Sequence, residues 1–329
     1  MKLSLLSIIS LIGATSVYAD NYNQEILKIK IVDDATRNYK VNGSTVNIEM
    51  QYFNGTASGD YFNGTTIRNS SVVLKKFKNV QTKSTSRYIL SGKDAKNNEC
   101  NIFIEDNSVA KKGTSVISKP SIITDCPDLG WLQTADLQTR LKDKGKKGKT
   151  LQLMWNKHNK SEMPYPPVKI PDSSKTYDKK LFVFDIEVAT YDIVNGANNA
   201  LAVMIGFTCS ANFDTFKGVG LDNFVDTRMQ FPGQIQSLSA RYILKGKDDE
   251  GHDTMIYVEN DGTDVSEDHT YFETEPLIVT DNPKWTWIET APLHGIPTSD
   301  PFQIHLYTVN DPSLWNKPAS ESESESESE

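Results

Sequence analysis

One stretch of this chain is written twice, and the distance between the copies limits what it can fold into. Arg87-Tyr88-Ile89-Leu90 is followed by Gly92-Lys93-Asp94, and Arg241-Tyr242-Ile243-Leu244 by Gly246-Lys247-Asp248. Downstream of the first copy lies Pro120-Ser-Ile-Ile-Thr-Asp-Cys-Pro127, then Trp131. Downstream of the second lies Pro276-Leu-Ile-Val-Thr-Asp-Asn-Pro283, then Trp287. Two anchors in the same order at nearly the same offset mean an internal duplication. The repeat is far longer than the roughly 20–50-residue units of solenoids and propellers, so each copy is a whole domain with its own core. The duplication also gives an internal comparison, because a group kept in one copy and lost from the other becomes visible.

Each copy reads as β-structure. Leu27, Ile29 and Ile31 alternate with Lys28 and Lys30, and Phe182, Phe184, Ile186 and Val188 alternate with Val183, Asp185 and Glu187. Period two with one polar face marks half-buried antiparallel strands. Arg241 to Lys245 and Thr254 to Asn260 flank Asp248-Asp249-Glu250-Gly251, a hairpin signal. No stretch keeps a helical period over three turns. The expected fold is all-β: two tandem antiparallel β-barrel domains, since closure removes exposed sheet edges. Residues 20–158 form the first domain and 179–312 the second. Residues 159–178 are a linker, stiffened by Met163-Pro-Tyr-Pro-Pro-Val-Lys-Ile-Pro171. Residues 313–329 end in a Ser-Glu alternation with nothing apolar to bury, and are expected to be disordered.

Residues 1–19 read as a signal peptide. Lys2 supplies the positive charge, Leu3 to Ile12 an apolar run too short to span a bilayer, and Val17-Tyr18-Ala19 the cleavage site. The mature chain then starts at Asp20 and is secreted. Sequons at Asn42, Asn54, Asn63, Asn69 and Asn159 fit an exported glycoprotein, although Asn-Gly also marks turns. Cys100 and Cys126 share the first copy and can pair, whereas their counterparts are Thr254 and Asn282. Cys209 is left over in an apolar run and reads as buried and inert. The net charge of −8 includes five glutamates of the tail, and the mildly acidic remainder argues against nucleic acid as a partner. No further segment approaches a membrane span.

The second copy resembles a known family. Ala240-Arg241-Tyr242-Ile-Leu, an acidic-Gly turn, Ile256-Tyr257-Val258-Glu-Asn260-Asp-Gly262, Tyr271-Phe272-Glu-Thr274-Glu-Pro276, Trp285-Thr-Trp287-Ile288 and Ile304-His-Leu-Tyr307-Thr-Val309 follow one another as in the DUF3237 (UPF0311) family. The first copy resembles it more weakly, through Ser86-Arg87-Tyr88, Ile102-Phe-Ile104, Pro120 and Trp131. The resemblance implies an antiparallel β-barrel per copy and no established activity. It also implies an aspartate ahead of the Arg-Tyr pair, filled here by Asp226. Thr227 stands where the family usually has tryptophan, and Val72 replaces the aspartate in copy one.

Asp226 and Arg241 are the leading site candidates. A carboxylate and a guanidinium at a barrel mouth clamp a small ligand, or simply hold each other. As a clamp they suggest a binding protein; as a base and an enolate stabiliser, an isomerase or lyase. Tyr242 and Arg241 lie on opposite strand faces, each with an apolar companion two residues on, so either one can face inward. Trp287, with Trp285, Tyr257 and Tyr271, lines a pocket or belongs to the core. The basic run Arg140 to Lys149 reads as a polyanion contact or as a solvated loop. The five histidines form no ligand pair with each other or with cysteine, so no metal and no cofactor is expected. Asp248 to Asp253 lacks the oxygen spacing of a calcium loop and reads as a turn. A third reading is a cell-surface glycoprotein acting through its glycans and tail.

Overall fold

The computed structural model describes residues 21–78, 81–111, 117–143, 148–171, 175–264, 272–311 and 313. The signal peptide, Tyr271, Lys144 to Lys147 and the Ser-Glu tail lie outside these residues. The chain forms two compact units. One takes in residues up to Asn38 and Met50–Pro166, the other Tyr39–Glu49 and the chain from Pro167 onward. The break thus falls inside the proline-rich linker. The second unit also takes in a short segment, Tyr39–Glu49, that the repeat alignment gives to copy one.

Each copy contributes one nine-stranded antiparallel sheet. The strands of copy one are β1 (Gln24–Asn42), β2 (Val46–Ser58), β3 (Phe62–Thr66), β4 (Ser71–Phe77), β5 (Gln81–Asp94), β6 (Glu99–Lys111), β7 (Ile117–Thr124), β8 (Leu137–Asp143) and β9 (Lys149–Trp155). Those of copy two are β10 (Lys179–Asn195), β11 (Leu201–Phe213), β12 (Phe216–Gly220), β13 (Phe224–Gln230), β14 (Ser237–Asp248), β15 (Asp253–Asp264), β16 (Phe272–Thr280), β17 (Leu293–Ser299) and β18 (Phe302–Thr308). In copy two the order runs β10-β18-β17-β16-β15-β14-β12-β11, and β10 also pairs with β11. The hydrogen-bonded path therefore returns to the strand it left. In copy one the path runs β7-β6-β5-β3-β2-β1-β9-β8, with β4 between β2 and β5.

The repeated Gly-Lys-Asp has a backbone reason. Gly246 faces Gly218 across β14 and β12, as Gly92 faces Gly64 across β5 and β3. A Cβ on Gly246 would lie 2.0 Å from the Lys217 carbonyl oxygen, and one on Gly92 would lie 2.1 Å from that of Asn63. The following aspartate organises the hairpin turn. Asp248 Oδ1 accepts from the Glu250 and His252 backbone amides at 3.0 and 2.8 Å. Asp94 Oδ1 does the same with Lys96 and Asn98, both at 2.9 Å. This is a turn in which an aspartate side chain substitutes for backbone acceptors.

Burial pushes the Asp248 carboxyl up, but the hydrogen bonds from the Asn282 side chain, from His252 and from Glu250 outweigh it and hold it well below the usual carboxylate range. A depressed folded pKa supplies stability that is present above the ordinary value of 3.8 and is lost as pH falls through the folded value. Acid denaturation should therefore begin below about pH 4. An Asp248→Asn variant should be less stable at pH 7 and show a shallower decline in melting temperature from pH 4 to 2. An unchanged slope would remove this turn from the acid response.

Within the second unit Glu289 anchors the Tyr39–Glu49 segment. It closes the 3-10 turn Pro283–Glu289 and is buried. It accepts from the Ser44 amide and hydroxyl at 2.8 and 2.9 Å, and from the Thr45 amide and hydroxyl at 2.8 and 2.7 Å. A Cβ on Gly43 would lie 2.5 Å from the same carboxylate. Bonds to a charged acceptor are worth about 1.5–3 kcal/mol each before coupling, so Glu289→Ala should cost on the order of 2–3 kcal/mol. It should also expose the Ser44 and Thr45 amides to hydrogen exchange, and retained protection at both would contradict the anchor.

Candidate functional site

Three neighbouring strands of the second unit put one side chain each into a common row. Asp226 of β13 stands opposite Ala240 of β14, and Ala240 opposite Asn260 of β15. Alternate residues share a face. Arg228, Leu238, Gly262 and Thr274 therefore make the next row, and Tyr242, Val258 and Ile278 the row behind. That rear row is fully buried. The Tyr242 ring closes it against Phe184, Phe207 and Phe224, with centroids 5.6, 5.7 and 6.4 Å away. The small side chain of Ala240 leaves room above this aromatic floor. The result is a cavity of about 600 Å³ lined by all three rows, by Ile205 and Phe207 of β11, and by Phe272. Tyr191 of β10 and Phe302 of β18 stand at its edge, and both are exposed.

The cavity is apolar with a few polar groups. Asp226 Oδ2 lies 3.5 Å from Arg228 Nε, and the Arg228 guanidinium rests 4.5 Å over the Phe272 ring. The Tyr242 hydroxyl and Asn260 Oδ1 both belong to buried lining residues, and neither has a hydrogen-bond partner among the described residues. Burial pushes the Tyr242 phenol well above its usual value, with Cys209 and Asp226 adding to the effect, so it stays protonated and able to donate.

Arg241 and Trp287 are not among the residues lining this cavity. Arg241 faces the other side of β14, where its Nη2 lies 3.3 Å from Glu259 Oε1 and Tyr257 donates to Glu259 Oε2 at 2.7 Å. Asp226 therefore has Arg228, not Arg241, as its cation in the cavity, and of the Arg-Tyr pair it is the tyrosine that lines it. Arg87 makes the same buried pair with Glu105 in copy one. Trp287 sits in the 3-10 turn with Lys179 Nζ 5.4 Å above its ring, and Trp285 packs on Phe182 and Phe216. The sequence spacing of these tryptophans suggests a strand, but Pro283 starts a turn there instead. Ala240, Asn260 and Thr274 stand in the sequence only as members of the family-like segments, and Arg228 lies outside them. Arg228 lies two residues from Asp226, a legible signal, whereas Asn260 needs the β14–β15 register.

The first unit fills the same rows differently. Val72 replaces Asp226, Ser86 replaces Ala240 and Asp106 replaces Asn260. The Ser118 and Thr139 hydroxyls donate to the Asp106 carboxylate, Thr139 at 2.6 Å, and the two hydroxyl oxygens lie 2.6 Å apart. Ser84 and Ser108 bond to each other at 2.6 Å. Burial raises the Asp106 pKa, against the two hydroxyl bonds that lower it. The buried acceptor of copy one is thus satisfied by the protein itself.

Cys100 and Cys126 form a disulfide between the start of β6 and the turn after β7, and Cys209 is free and buried. Burial pushes the Cys209 thiol up to about 12. Of the sequons, Asn42, Asn54 and Asn63 are exposed. Asn69 is half-buried and accepts from Arg37 at 3.3 Å, and Asn159 donates to Asp136 at 3.0 Å. The one cluster of potential metal ligands among the described residues, Cys100, Asp125 and Cys126, has both thiols in the disulfide. No helix among the described residues is long and apolar enough to cross a membrane.

No family model matches the chain, and neither does any curated protein. Among solved structures it is similar to a protein of unknown function from Clostridium acetobutylicum ATCC 824. Identity is 24% with a TM-score of 0.33, covering 40% of this chain and 96% of the other. A conserved protein of unknown function from Rhodopseudomonas palustris gives 19% and 0.34, covering 41% and 99%. A beta-barrel like protein from Acinetobacter baumannii AYE gives 18% and 0.33, covering 44% and 98%.

Proposed function

We propose that this chain is a secreted, glycosylated tandem protein of the DUF3237 type whose second unit binds a small molecule, while the first serves as a structural, glycan-bearing copy. The observation that carries the binding reading is the cavity of about 600 Å³ with a closed aromatic floor and two buried polar groups, Tyr242 and Asn260, turned to it without protein partners. Ligand pockets are typically about 300–1,000 Å³, mostly apolar, with a few convergent polar groups. Leaving a buried polar atom unpaired costs about 1–3 kcal/mol, which a bound ligand offsets. An acid–base isomerase or lyase on Asp226 and Arg241 would need both groups at the cavity, and only Asp226 lines it.

A thermal-shift screen of the mature protein against a metabolite and glycan panel tests the reading, run beside Ala240→Phe, which fills the central row. A ligand at a hundred times its Kd stabilises the native state by about 2.7 kcal/mol. The reading expects a compound that raises the melting temperature of the wild type and leaves that of Ala240→Phe unchanged. Equal shifts in both would move the site out of this cavity. The export reading expects an N-terminus at Asp20 on the secreted chain and a mass drop on deglycosylation, carried first by the exposed Asn42, Asn54 and Asn63. Retention of residues 1–19 on the isolated protein would contradict it.

A further inference from the structure

We infer that the second-unit cavity takes an uncharged ring compound carrying a hydroxyl group, and that this hydroxyl donates to the buried acceptor Asn260 Oδ1. The inference rests on the cavity being a ligand site, and deepens that reading to a chemical class.

The two copies treat one buried acceptor differently. At the position shared by Asp106 and Asn260 the side chain is buried and presents an acceptor oxygen. In the first unit two protein donors answer it, the hydroxyls of Ser118 and Thr139. In the second unit neither position answers it. Gly295 stands in place of Thr139 and has no side chain. Thr274 stands in place of Ser118, and its hydroxyl turns instead to the Gly295 carbonyl at 3.1 Å. A Cβ on Gly295 would lie 2.1 Å from Thr274 Oγ1 and 3.2 Å from Asn260 Oδ1, so Thr274 takes up the space at Gly295 beside the acceptor without donating to it. The unanswered acceptor lines a cavity large enough to admit a donor from outside.

The other groups narrow the class. The Tyr242 hydroxyl keeps its proton and can donate to a ligand oxygen, while Asn260 Oδ1 can only accept. A hydroxyl suits either group, because it donates and accepts. A carboxylate or ketone has no proton for Asn260, and a carboxylate would also stand near Asp226. An ammonium can donate to Asn260 but cannot accept the Tyr242 proton, although the lining sets two carboxylates, Asp226 and Asp300, against the one guanidinium of Arg228. The remaining lining, from Ile205, Phe207, Leu238 and Phe272, suits a flat apolar body.

Calorimetric titration of the mature chain with three probes of one ring system decides the matter. 2-Naphthol offers the hydroxyl, 2-methoxynaphthalene the same ring with an acceptor only, and 2-naphthoate an anion. The expected result is binding of 2-naphthol at least about tenfold tighter than of either other probe, the scale of one unmet buried acceptor. Asn260→Leu should remove that preference. Thr274→Ser/Gly295→Thr rebuilds the hydroxyl pair that already packs in the first unit, and should abolish 2-naphthol binding while leaving the fold intact by circular dichroism. If 2-methoxynaphthalene or 2-naphthoate binds as tightly as 2-naphthol, the hydroxyl inference is overturned and the cavity reading stands. If none of the three binds, both are overturned.

Discussion

Replacing Glu259 with alanine should lower the stability of the second unit by about 3–5 kcal/mol, a larger loss than that expected for Glu289→Ala. Arg241 and Glu259 are both buried, and their pair is 3.3 Å apart. Removing the carboxylate leaves a guanidinium that cannot shed its proton in a place with little water. Tyr257 also loses its acceptor. Substituting both members together, Arg241→Met/Glu259→Leu, should cost far less, because no charge is then left unpaired. Denaturant unfolding of the two single variants and the double variant measures the coupling. A single-variant cost under about 1 kcal/mol would mean that the pair is hydrated and does not hold the fold. The same logic applies to Arg87 and Glu105, and it explains why Arg-Tyr-Ile-Leu is written twice. The arginine bridges two strands on one face of the sheet, and the tyrosine fills the interior on the other.

Removing the Cys100–Cys126 disulfide, as Cys100→Ser/Cys126→Ser, should destabilise the first unit by about 3.5 kcal/mol, the chain-entropy value for a loop of this size. The bridge closes a separation of 26 residues. The second unit makes the same join without sulfur. Asn282 donates to Thr254 Oγ1 and to Asp248 Oδ2, both at 2.9 Å. The Asn282–Thr254 bond stands in the positions of the first copy's cysteines. Thr254→Cys/Asn282→Cys should therefore close a second disulfide, with a smaller net gain because Asn282's bonds are given up. Chemical denaturation with and without reductant checks both variants. Reductant should lower the stability of the wild type and leave the serine variant unmoved; equal stability of wild type and serine variant without reductant would contradict the account.

Much of the fold was legible because the duplication carries its own control. Period-two alternation located β1, β10 and the β14–β15 hairpin. The identity of the site was less legible, for a physical reason. Strand alternation says that Arg241 and Tyr242 face opposite ways, but only the sheet's pairing says which way is in. Conspicuous charge drew Asp226 and Arg241 together, although they belong to opposite faces. The residues that differ most usefully between copies are small or neutral: Ala240 for Ser86, Asn260 for Asp106 and Gly295 for Thr139. A glycine that removes a hydroxyl leaves no signal in the sequence until the register shows what it has stopped touching.

The central claim is that the second unit has a ligand site and the first does not. Methyl-labelled NMR of the mature chain, titrated with 2-naphthol, tests it most directly. The account predicts shifts at Ile205, Leu238 and Ile304, which line the cavity, and none at Ile89, Ile102 and Ile122 in the core of the first unit. Shifts of equal size in both sets, or confined to the first-unit set, would contradict it.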